Sequence, residues 1–158
     1  DPEEVRYNIF QALQYLADWL RGNGCVALPA LMTNALGERV FVRIMDDLAT
    51  TERSRWELWA ELHHGRVSRE LFLGLMEEEL EFLRAGLETE TRRIQVRWEG
   101  EAGRWYPVAA RLLHQLALDP TPVEFVTELL LPFTLELVRR ADDPWAVVTK
   151  LCPGRYRG

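Results

Sequence analysis

Cysteine is scarce: Cys25 and Cys152 stand far apart, with no CxxC pair and no Cys/His cluster. Such spacing indicates neither a disulfide framework nor a zinc site, and suits two thiols in a reducing compartment. Lysine is scarcer still. Lys150 is the only one, so arginine carries the positive charge and offers planar, two-pronged pairing where lysine offers a point charge. Positive charge is also outnumbered: the formal net charge of −6 gives a field that repels nucleic acid and anionic membrane surfaces. No apolar run approaches the ~18 residues that a membrane span needs, and no basic leader followed by an apolar stretch opens the chain. A soluble, cytoplasmic protein is expected, with neither nucleic acid nor membrane as partner. Asp1 rather than Met comes first, which suggests a piece of something longer.

What is present is a chain of 158 residues, 47% hydrophobic, enough for one domain with a real core. Pro2, Glu3 and Glu4 suit a helix start, and Val5, Ile9, Leu13, Leu16 and Leu20 continue one apolar face until Gly22. Phe10, Tyr15 and Trp19 widen that face, so this helix is expected to pack on two neighbours. From Cys25 to Met45 the helical period fades, and a loop with a short strand, RVFVRI, is expected. Ser54 and Glu57 have capping-box spacing, which places a second helix over 54–64.

Ser68 caps a third helix, with Leu71, Phe72, Leu75, Met76, Leu80 and Leu83 inward, acids Glu77 to Glu79 mostly in water, and Gly86 at its end. Residues 94–98, IQVRW, alternate like a strand, so a small hairpin or an ordered loop fits there. Pro107 suits the first turn of a fourth helix that runs to Asp119 and stops before Pro120. Thr121, Pro122 and Glu124 then predict a fifth helix, which Pro132 divides from a sixth piece ending near Arg140; from Asp142 a tail is expected. The fold class is therefore all-α: a bundle of about five helices with irregular loops and room for one short hairpin. The expected divisions of this single domain are 1–24 (first helix and Gly turn), 25–53 (loop), 54–141 (bundle) and 142–158 (tail).

Adjacent His63 and His64 face different sides of a helix, so they suit its C-terminal dipole better than a metal. The six tryptophans read as packing anchors rather than a stacking platform, given the acidic surface.

Three blocks, YNIFQALQYLADWLRGNGCV, MDDLATTERSRWELWAELHHG and AARLLHQLALDPTPVEFVTELLLP, stand in the order seen in the C-terminal third of malate synthases, which the chain resembles. The family patterns are WL.G.GCV, MEDAATAEISR and an alanine-rich helix leading into FLTLPAY. In the second block Met45, Asp47, Ala49, Thr50, Glu52, Ser54 and Arg55 coincide with the pattern, and this block is the specific one. The resemblance implies the helical plug that closes a (β/α)8 barrel, the barrel belonging to the same protein and lying outside these residues. It also implies an acyltransferase of the glyoxylate cycle that condenses acetyl-CoA with glyoxylate to malate and CoA. Asp47 takes the position of the catalytic base, with 25–53 as the active-site loop. Cys25, Met45 and Asp46 fall on the acyl-CoA side. Mg²⁺ is implied in the full-length enzyme, held by barrel carboxylates, with none bound by this fragment, which alone is expected to be inactive.

Other readings of the same residues stand beside these. Asp46 and Asp47 also fit a solvated acidic turn at a helix start, Cys25 a buried thiol after a helix cap, and Met45 a core gap-filler. The chain departs from the pattern in the long stretch ALPALMTNALGERVFVRI between GCV and MDD, and at Asp46, Leu48 and Arg53. Two alternatives follow: a related CoA-thioester synthase or lyase with another 2-oxo acid, and a stand-alone helical interaction module.

Overall fold

The computed structural model describes residues 1–23, 35–90 and 92–157, with side chains for 1–22, 49–90 and 92–157. Among the described residues it is all helical, as expected, and no strand occurs. No described helix is long and apolar enough to cross a membrane.

Helix α1 spans Pro2–Asp18, its first turn capped by the Asp1 carboxylate, which accepts from the Glu3 amide at 3.1 Å. Val5, Ile9, Leu13, Leu16 and Leu20 are buried as predicted, together with Phe10, Ala12 and Ala17. So broad an apolar face fits a helix surrounded by neighbours, and α1 packs on the three long helices that follow. It runs into a wider turn over Trp19–Asn23, where Gly22 takes φ 118°, a left-handed conformation that a side chain would strain. Arg139 donates to the Leu20 carbonyl at 2.6 Å and closes this end.

Helix α2 spans Ala35–His63, which corrects the expectation of a loop and short strand for 35–53, while 25–34 lie outside the described residues. The stretch 35–53 has no proline and only Gly37, so nothing in it forbids a helix. Ser54, read as a cap, is instead buried in mid-helix, because the residues on either side of it dock against a later segment. Gly65, with φ 74°, ends the helical run, and the Arg66 amide returns to the Glu61 carbonyl at 2.9 Å.

Helix α3, Arg69–Ala85, has the predicted boundaries: Ser68 accepts from the Leu71 amide at 3.1 Å, and Gly86 ends it at φ 70°. Phe72, Leu75, Met76 and Leu83 are buried, whereas Leu71 is exposed. Glu79, assigned to the wet face, is buried and pairs with Arg6 at 3.5 Å and with Arg92. Two guanidiniums compensate the desolvation of this carboxylate, and Arg92 also lies over the Phe10 and Phe82 rings.

Residues 94–98 form the ordered loop, not the hairpin. The buried Gln14 carbonyl accepts from the amides of Gln95 at 2.7 Å and Val96 at 3.2 Å, Glu88 accepts from Ile94, and the Tyr106 hydroxyl donates to the Val96 carbonyl. Side chains thus take the bonds a partner strand would have made.

Helix α4, Gly100–Leu118, begins about two turns before the expected Pro107, which it carries internally at the loss of one donor. Its end at Asp119 is as predicted. The helix expected from Thr121 is displaced: α5 is the short Thr127–Leu130, continued by a 3₁₀ turn over Leu131–Thr134. Helix α6, Glu136–Arg140, matches the sixth piece. The expected tail contains α7, Pro144–Leu151, capped by Asp143. Trp145 and Val148 are buried, and Trp145, Phe133 and Tyr156 form one aromatic cluster.

Candidate active-site segment

Residues 45–63 of the specific block lie on α2. Asp47 stands four, seven and eleven residues before Thr51, Ser54 and Leu58, all three buried, so it shares their register on the helix. The side chains of Met45, Asp46 and Asp47 lie outside the described residues, and so does Cys25 entirely.

The second half of the block is described in full, and it forms a clamp. Arg55 is wholly buried; its Nε and Nη2 donate to the Glu52 carboxylate at 3.2 and 2.7 Å. Nη1 and Nη2 reach the carbonyls of Val123 and Glu124, each at 2.6 Å. The other Glu52 oxygen accepts from the Val126 amide at 2.5 Å. One turn further, Trp59 Nε1 donates to the Asp119 carbonyl at 2.9 Å. Burying a guanidinium costs several kcal/mol unless its donors are satisfied, and here one carboxylate and two carbonyls do so.

This clamp explains why the segment after Asp119 is not the helix its caps predict. The carbonyls of Val123 and Glu124 and the amide of Val126 are spent on α2 rather than on their own helical ladder. In the sequence Glu52 and Arg55 stand out only as positions that match the family pattern. The signal that could have revealed their role is an acid and an arginine three apart, a spacing that brings the two side chains together on one helix face.

Elsewhere, His63 ends α2 with its ring 4.1 Å from that of Trp59, a packing contact. On α4, burial and the nearby Arg69 lower the His114 pKa below its ordinary value. Among the described residues no group of three or more His, Cys, Asp or Glu side chains could hold a metal ion, so the Mg²⁺ implied by the resemblance has no fitting ligand set there.

With α2 and its clamp in place, the sequence relationship becomes concrete. The family model described as malate synthase, C-terminal, matches residues 1–132, and the chain belongs to that family. It is 31% identical to malate synthase A of Escherichia coli (strain K12), over 79% of this chain and 21% of that protein. It is 34% identical to the bifunctional glyoxylate cycle protein of Caenorhabditis elegans, over 77% of this chain and 11% of that protein. It is 30% identical to the glyoxysomal malate synthase of Cucurbita maxima, over 79% of this chain and 20% of that protein. The chain thus spans about a fifth or less of the length of these relatives. No solved structure matches it.

Proposed function

We propose that the chain is the helical domain of a malate synthase and supplies the base of the condensation, Asp47. Asp47 removes a proton from the acetyl methyl of acetyl-CoA, and the resulting enolate adds to the aldehyde carbon of glyoxylate. Hydrolysis of the malyl thioester then releases malate and CoA. An aspartate with an ordinary pKa of ~3.9 is a weak base for such a proton, so the enolate must be stabilised by groups outside this domain. These belong to a barrel domain of the same protein, as do the carboxylates for Mg²⁺, which when bound polarises the glyoxylate carbonyl. Cys25, Met45 and Asp46 line the acyl-CoA side.

The observation that carries this reading is the block Met45–Arg55 within a family match over residues 1–132. Conversion of Asp47 to Asn in the full-length enzyme tests it. General-base catalysis is worth about 10²–10⁴-fold, so kcat should fall by that order while circular dichroism stays unchanged. Turnover close to that of the parent enzyme would refute the role of Asp47.

A further inference from the structure

A base carried on a helix is only as well placed as the helix, and reacting groups need positions held within about 0.5 Å. Apolar burial alone does not supply this, because it is non-directional and tolerates small slides. Directional bonds do. Glu52 and Arg55 follow Asp47 by five and eight residues, about 7.5 and 12 Å along the axis. Together with Trp59 they fasten α2 to the 119–126 connection through two carbonyls, one amide and a third carbonyl, at 2.5–2.9 Å.

That connection and α5, which follows it, are also held by the C-terminal residues. The Tyr156 hydroxyl donates to the Leu129 carbonyl at 2.7 Å, Arg155 to the Glu128 carbonyl at 2.8 Å, and Arg157 reaches Asp119 at 3.5 Å. Stability by itself does not call for such a pair, since apolar residues of similar volume commonly do as well in a buried site. What an ion pair of this geometry adds is a fixed register.

We infer that Glu52 and Arg55 are positioning residues for Asp47, setting the rotation and axial position of α2 against the 119–126 connection. The inference rests on the assignment of Asp47 as base. Its test uses Arg55→Lys and Glu52→Gln in the full-length enzyme beside Asp47→Asn. A lysine keeps the charge but cannot span a carboxylate and two carbonyls; a glutamine keeps an acceptor for Val126 but weakens the grip on Arg55.

Each of the two clamp variants should lose about ten- to a hundredfold in kcat, with KM for both substrates changed by less than about threefold. The isotope effect on kcat with trideuterated acetyl-CoA should rise as proton removal becomes limiting. Glu52→Gln decides the matter if Arg55→Lys does not fold. Folded clamp variants with parental kcat and isotope effect, beside an inactive Asp47→Asn, would overturn the positioning role and leave the base assignment standing. An active Asp47→Asn would remove both.

Discussion

Gln14 offers the sharpest test of how this bundle is closed. It is 2% exposed on α1, and its side-chain carbonyl serves two amides of the 94–98 loop, those of Gln95 and Val96. Gln14→Met keeps nearly the same shape and removes the acceptor. The Val96 amide lies in a buried residue and would stay unpaired, at about 1–3 kcal/mol; the Gln95 amide belongs to an exposed residue and can turn to water, so its loss is below about 1 kcal/mol. The more apolar side chain recovers part of this, leaving a net loss of about 1–3 kcal/mol. For a chain of this size that lowers the thermal midpoint by about 2–12 °C. Urea unfolding should show the lower midpoint with an unchanged slope, and hydrogen exchange at the Gln95 and Val96 amides should accelerate more than at α1 amides. An unchanged midpoint with both amides still protected would refute the bond accounting.

His114 supplies a pH test: its pKa is lowered in the folded chain by burial first and Arg69 second, so the unfolded chain binds its proton first as pH falls. Its contribution is present above the unfolded value of ~6.5 and is lost as pH falls through the folded one, so His114→Gln should lose less stability than the parent between about pH 7.5 and 5.5; equal losses would contradict this. Tyr156→Phe, which deletes the bond to the Leu129 carbonyl, should cost about 1 kcal/mol by urea unfolding. Tyr156→Ala also empties a 6% exposed site against Phe133 and Trp145 and should cost about 3–5 kcal/mol.

One pattern recurs among the tertiary bonds: side chains of the long helices capture the backbone of segments outside them. Gln14 and Tyr106 hold the 94–98 loop, Glu52 and Arg55 the 123–126 stretch, Arg104 the carbonyls of Arg139 and Ala141, and Gln115 the carbonyl of Arg155 and the amide of Arg157. A buried backbone group without a partner costs about as much as a lost hydrogen bond, so each of these side chains is part of what makes its loop possible.

Where local signals suffice, the sequence alone determined the outcome. The apolar period of α1, the Gly22 stop, and the Ser68 and Gly86 boundaries of α3 are decided within a few residues by capping chemistry and left-handed glycines. The block from Met45 to Arg55 was likewise legible as a family mark. Tertiary structure decided the rest, because the deciding partners lie far away in the chain. The alternation of IQVRW looks like a strand until Gln14 takes its amides, and the caps at Thr121 and Glu124 look like a helix start until Arg55 takes the carbonyls. Glu79 looks like one more surface acid until Arg6 and Arg92 close on it. Local propensity is worth a few tenths of a kcal/mol per residue, whereas a buried amide, carbonyl or carboxylate without its partner costs about 1–3 kcal/mol or more, so long-range satisfaction of polar groups overrides the local signal.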